Sequence, residues 1–188
     1  MNLFLLLFLM NADTAKPTGC PLHEQHMQHA DAVNARHDRF GMSHHSTRHS
    51  FRLFADGGAV ELRTIGADPD GARAIQAHLR DAASDFSRAD FSKPLFVHGA
   101  TPNGVARMKQ LRDAIRYRFE SLPDGGRIRI TATGAAATSA VHDFLRFQIA
   151  EHHTDDKGEI EIDQQRPESR LTDPADPSDR SARTPAAE

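Results

Sequence analysis

Apolar and polar residues between positions 50 and 153 alternate with two different periods. Phe51, Leu53, Val60 and Leu62 alternate with Arg52, Glu61 and Arg63 around Asp56-Gly57-Gly58. That pattern predicts a β-hairpin with one apolar face, since successive strand side chains point to opposite sides and glycine suits a tight turn. Asp68-Pro69 then reads as an N-cap followed by a proline in the first helical turn. Ile75, Leu79, Ala82 and Phe86 continue it at helical spacing, which predicts an amphipathic helix of about 18 residues. Residues 95–97 predict a brief strand ending at His98-Gly99, and Thr101-Pro102 a second helix start leading to Val105, Met108, Leu111 and Ile115. Residues 116–121 and 127–133 predict a second hairpin around Asp124-Gly125-Gly126. Residues 134–153 predict a last helix with Val141, Phe144, Leu145, Ile149 and His152 on one face.

These pieces repeat. The Asp-Gly-Gly of residues 56–58 returns at 124–126, and Ala74-Ile75 with Leu79-Arg80 returns as Ala140-Val141 with Leu145-Arg146. The expected fold is α+β: duplicated ββα units forming a four-stranded, mainly antiparallel sheet with helices on one face. Residues 48–153 make up that domain. Residues 154–188 lack aromatic side chains and repeat Asp, Pro, Ser and Arg, so they read as a disordered tail, with a short edge strand at 159–163.

The N-terminal end has a different character. Residues 3–10 are an unbroken run of Leu, Phe and Met. The run is too short for a bilayer span, which takes roughly 20 apolar residues. It fits the core of a secretory signal, usually about 7–15 residues, so residues 1–19 read as a signal peptide and the mature protein as periplasmic or secreted. Neither a basic residue before the run nor an Ala-x-Ala site after it is present. A start codon assigned too late would account for the first, and without a signal the protein would be cytoplasmic. Pro17-Thr18-Gly19-Cys20 is a partial match to a lipoprotein motif.

Charge and composition refine this division. The net charge of −3 excludes a generally basic nucleic-acid binder. It is the balance of −1 for residues 1–47, +3 for 48–153 and −5 for the tail. One cysteine excludes an internal disulfide framework and the Cys-rich zinc modules. Twelve histidines stand against that single cysteine. Residues 20–47 form a His-rich linker in which Cys20, His23, His26 and His29 recur every third position, with His37, His44 and His45 following and His49 just beyond it. Neighbours three apart on a helix can share one ion, and imidazole suits Cu, Ni or Zn. Cys20, His23, His26, His29, His44, His45 and His49 are therefore the candidate metal ligands.

Two other chemistries are legible within the domain. Arg116 and Arg118 share one strand face with Arg127 and Arg129 of the partner strand, joined by Arg52 and Arg63 if the hairpins pair. Such a face would bind anions or an acidic protein partner. Aromatic residues do not interleave with these arginines as single-strand nucleic-acid sheets require, so nucleic acid is not the expected partner. For an enzyme, the imidazoles to consider are His49, His78, His98, His142, His152 and His153. His98, in a Val-His-Gly-Ala segment, and His142 mark the candidate site within the domain. Catalytic residues are not assigned: the chain has no Gly-x-Ser-x-Gly elbow, Gly-rich phosphate loop or dinucleotide fingerprint.

Phe51-Arg52-Leu53 with Asp56-Gly57-Gly58, Ala77-His78-Leu79-Arg80 and Asp90-Phe91 form a collinear set with several later motifs. These are Val97-His98-Gly99, Thr101-Pro102 with Gly104-Val105, Tyr117-Arg118-Phe119-Glu120 and the run Val141-His142-Asp143-Phe144-Leu145-Arg146-Phe147-Gln148-Ile149. On these residues the stretch 49–156 resembles an uncharacterised family of small, mostly exported bacterial proteins. The resemblance implies export and the α+β fold, and lends no catalytic residues. Relatives often pair two histidines before the first strand, where this chain has His49-Ser50, and carry a second proline where it has Asn103.

Overall fold

The computed structural model describes residues 21–162, leaving aside the side chains of residues 21–27 and 30. The expected signal segment, Cys20 and the tail beyond residue 162 lie outside the described residues. The protein is a mixed α+β fold built on a five-stranded sheet.

Strands β1 (Thr47–Phe54) and β2 (Gly57–Thr64) form the first antiparallel hairpin, and β3 (Ile115–Leu122) and β4 (Gly125–Ala132) the second. The loops are Ala55-Asp56 and Pro123-Asp124, so both glycine pairs belong to strands and not to the turns. The reason lies where the hairpins meet. β2 pairs antiparallel with β4, setting Gly57 and Gly58 opposite Thr131 and Ile130, and Gly125 and Gly126 opposite Arg63 and Leu62. A Cβ on Gly57 would sit 2.3 Å from the Ile130 carbonyl oxygen, and one on Gly125 would sit 2.1 Å from that of Leu62. The repeated glycines let two backbones approach.

The sheet order is β3-β4-β2-β1-β5. The fifth strand, β5 (Ile160–Glu161), runs parallel to β1 beside Leu53 and Phe54; it falls within the short edge strand expected at 159–163 and widens the expected four-stranded sheet to five.

Helix α1 spans Pro21–Asp38, and α2 spans Pro69–Ser87. The Asp68 carboxylate accepts a 2.9 Å bond from Gly71 N and caps α2, which buries Ala72, Ile75, Leu79, Ala82 and Phe86. The last helix, α5 (Ala135–His152), buries Ala140, Val141, Phe144 and Leu145. Both pack on the sheet face that carries Phe51, Leu53, Val60, Leu62, Ile128 and Ile130, closing one aliphatic and phenylalanine core.

Helix α1 runs for 18 residues through the His-rich linker. Three expectations need correction. Residues 95–97 are not a strand but belong to α3 (Ser92–His98), whose start is tied by Asp90 accepting from Ser92 N at 2.8 Å. Leu95 and Phe96 remain 45% and 44% exposed, so their apolar run does not enter the sheet. Helix α4 (Val105–Gln110) begins after Gly104 and not at Pro102. Gly104 has φ +80°, and a Cβ there would lie 2.2 Å from Ala140 O, so α4 rests directly against the α5 backbone. Leu111 and Ile115 do not extend α4, because a 3-10 turn at Arg112–Ala114 intervenes and Ile115 opens β3.

Candidate functional site

Five elements each deliver one histidine to the same cavity. Alternation along β1 places His49 on the core side with Phe51 and Leu53. Helical spacing places His78 of α2 one turn from Ile75 and Ala82, and His152 of α5 one turn beyond Ile149. His98 ends α3, where Gly99 adopts the left-handed conformation and closes the helix. His37 is in the last turn of α1, one turn after Val33, which is fully buried. Arg36 Nη1 donates to Val97 O at 3.1 Å and fastens α1 to α3.

The rings converge closely. His37 Nε2 and His49 Nε2 are 3.0 Å apart, a distance at which one donates to the other. Ring centroids are 4.4 Å apart for His37 and His49, 5.8 Å for His37 and His152, and 4.9 Å for His49 and His152, the last pair stacked at 12°. His78 lies 6.1 Å from His37, and His98 lies 5.1 Å from His152. Beneath them Phe40, Phe51, Phe86 and Phe144 line a cavity of about 70 Å³. That space holds a few waters or a hydrated ion and is far smaller than a drug-sized pocket.

Burial sets the electrostatics. It lowers the pKa of His37 below the usual imidazole range, against the opposing pull of the Met42 backbone. Burial and the neighbouring His37 bring His49 down to about 3 and His78 down to about 4. Burial also lowers His98, and lowers His152 well below its ordinary value, with His49 adding repulsion. All five imidazoles are therefore neutral near pH 7, the form that offers a lone pair to an electrophile or a metal. Two nitrogens among them, His37 Nδ1 and His98 Nδ1, are buried and make no hydrogen bond. His98 Nε2 donates to Gln148 Oε1 at 2.9 Å, while its Nδ1 lies 3.5 Å from Glu151 Oε2. The same carboxylate meets exposed His29 of α1 at 2.6 Å.

The residues expected to ligate metal fare differently. His49 enters the cluster. His29 is engaged by Glu151, and His44 and His45 lie against each other outside it, their centroids 3.8 Å apart and their rings tilted by 43°, with His44 Nδ1 3.3 Å from Asp38 Oδ1. His23 and His26 lie on α1, Cys20 lies outside the described residues, and the side chains of these three are not described. Among the described residues no three His, Cys, Asp or Glu side chains already stand in metal-holding geometry. His98 and His142, the candidate site within the domain, line different cavities. His142 Nε2 donates to Phe54 O at 2.9 Å and Gly57 O at 3.0 Å, fixing the first hairpin.

The arginine face exists but is laced with carboxylates. Arg118 and Arg129 are cross-strand neighbours, as are Glu120 and Arg127. Arg118 pairs with Glu120 at 2.5 Å, Arg127 pairs with Glu120, and Arg129 Nη2 reaches Asp56 at 2.5 Å. Arg63 bridges Glu61 and Asp124, and Arg52 meets Glu161. Arg127 and Arg129 are 2% and 4% exposed, so their guanidinium groups are part of the fold's interior more than of its surface. Arg116 is exposed and bonds the Asp113 carbonyl.

Residue-by-residue spacing does not reveal the five-histidine cluster. One signal could have: His49, His78 and His152 each lie on the apolar face of their own element. No helix among the described residues is long and apolar enough to cross a membrane. Comparison with family models, curated proteins and solved structures gives no significant match.

Proposed function

We propose that this protein binds a transition-metal ion, and that the ion's seat is the pocket of His37, His49 and His152, with His78 and His98 beside it. The observation that carries this reading is the convergence of five neutral imidazoles, from five separate elements, on one small cavity. Folding alone gives little reason for it, because each buried imidazole nitrogen left without a partner costs about 1–3 kcal/mol. An ion that accepts lone pairs removes that cost.

Ring positions support the same reading. Two imidazoles on one tetrahedral ion, with metal–nitrogen bonds of about 2.0–2.1 Å, have centroids roughly 5.2 Å apart. The separations within the His37, His49 and His152 trio run from 4.4 to 5.8 Å around that value. His49 and His152 are stacked at 12°, so ligation of one ion by both requires one ring to turn out of that stack.

The rest of the reading rests on sequence. The apolar run at residues 3–10 supports an exported protein that meets metal outside the cytoplasm, and the matching hairpin–helix segments support duplication of one ββα unit.

Titration of the full chain with Co(II), followed by its visible ligand-field absorbance, tests the metal seat. One equivalent should bind at micromolar or tighter affinity. His49→Gln with His152→Gln should weaken it at least about 30-fold, roughly 2 kcal/mol. A triple His23→Gln, His26→Gln, His29→Gln variant should change it by less than about threefold. Binding that depends on the triple variant's positions, or no binding at all, overturns the proposal.

A further inference from the structure

The proposed pocket has a property that bears on which ion it takes. Among the described residues, no Asp or Glu lines the cavity. Its polar lining is five uncharged imidazoles, the Gln148 amide and Lys93, a cation whose ammonium is occupied by Asp85. The remaining walls are Phe, Leu, Val, Ile, Ala and Pro side chains. Outside the lining, the Glu151 carboxylate touches His98 at the edge of the cluster and is shared with His29, while Asp38 acts on His37 and Asp81 and Asp85 on His78.

The cost of taking an ion out of water scales with the square of its charge, so a divalent ion pays about four times what a monovalent ion pays in the same apolar surroundings. Neutral ligands donate electron pairs but cancel none of that charge. Divalent sites ordinarily offset it with thiolates or carboxylates in or near the ligand set. The histidine pocket has neither within its lining. Its convergent trio also supplies three nitrogens, where a structural divalent zinc site takes four ligands.

Resting on the metal-binding reading above, we infer that the pocket is selective for a monovalent soft cation, Cu(I), over divalent ions. The ligands are the imidazoles of His37, His49 and His152, and the apolar walls exclude competing water. Selectivity arises from missing anionic charge more than from ligand softness, so adding one carboxylate should reverse it. Gln148 is the place to add it: it is 5% exposed, lines the cavity and bonds His98.

The experiment is anaerobic competition of the full chain against the chromophoric Cu(I) chelator bicinchoninate, run beside Zn(II) and Co(II) titrations. Circular dichroism melting confirms that each variant is folded. Wild type should take one Cu(I) from the chelator and hold it more tightly than Zn(II) or Co(II), and His49→Gln should weaken Cu(I) at least about 100-fold and the weaker divalent binding with it. Gln148→Glu should tighten Zn(II) and Co(II) at least about tenfold relative to Cu(I). Tight Zn(II) or Co(II) binding that His49→Gln abolishes, with weaker Cu(I) binding, overturns the monovalent preference and leaves the metal pocket standing. An absence of any dependence on His49 for all three ions overturns both. A Gln148→Glu protein with unchanged ion preference overturns the charge argument.

Discussion

Acidification should destabilise this protein before most of its carboxylates take up protons, because the histidine cluster is held neutral. At about pH 5 a histidine in the unfolded chain, with its pKa near 6.5, is almost fully protonated. In the folded protein His49, held at about 3, and His78, held at about 4, stay neutral at that pH. The folded state thus binds fewer protons than the unfolded state, and stability must fall as pH falls through 6.5. Over roughly 1.5 pH units the loss is about 2 kcal/mol for each of these two side chains. His37, His98 and His152 are lowered in the same direction and add to it. About 4 kcal/mol from two residues is a large part of the 5–15 kcal/mol that holds an ordinary domain together. The measurement is urea unfolding of the full chain at several pH values between about 7.5 and 5, with and without His49→Gln and His78→Gln. Wild-type stability should drop by at least about 3 kcal/mol across that range, and the double variant's drop should be clearly shallower. A flat profile, a rise on acidification, or an equal slope in the double variant would refute the argument.

Other substitutions test separate parts of the structure. Phe144→Ala, at a side chain only 2% exposed where α5 meets the sheet, should cost about 3–5 kcal/mol in chemical denaturation. Gly104→Ala combines a left-handed backbone with a 2.2 Å approach to Ala140 O, and should lower stability by about 2–4 kcal/mol through displacement of α4. His142→Phe removes the donor to Phe54 O and Gly57 O and should cost about 1–3 kcal/mol while leaving metal affinity unchanged. A loss of metal affinity in that variant would place His142 in the site after all.

The parts of the fold that could be read in advance are those whose burial follows a local period. Phe51, Leu53, Val60 and Leu62 alternate because one sheet face is covered, and Ile75, Leu79, Ala82 and Phe86 recur because α2 lies on that face. Helix α1 could not be read this way. Its described buried side chains are Val33 and His37, too few to leave a stripe. Residues 95–97 misled for the opposite reason: three apolar side chains in a row suggest a buried strand, yet two of them are largely exposed on a short helix. The site was hidden because histidine density and histidine convergence are different things. Density drew attention to residues 20–49, whereas the cavity draws on positions 37, 49, 78, 98 and 152, which only the assembled sheet and helices bring together.

The two edges of the sheet differ in what borders them. On the β1 side, Asp156 accepts from Ser50 Oγ at 2.8 Å and from Phe51 N at 2.9 Å, and β5 occupies the stretch beside Leu53 and Phe54. The chain plugs its own edge there. On the other side β3 has no strand beyond it among the described residues, and it presents exposed Arg116 and Arg118 at alternate positions. Two β3 strands brought together antiparallel about residue 117 would set Arg116 against Arg118, with Glu120 already holding the latter, so pairing there would have to break or accommodate those charges. A protein that concentrates five uncharged imidazoles inside thus carries permanent charge at its sheet margin.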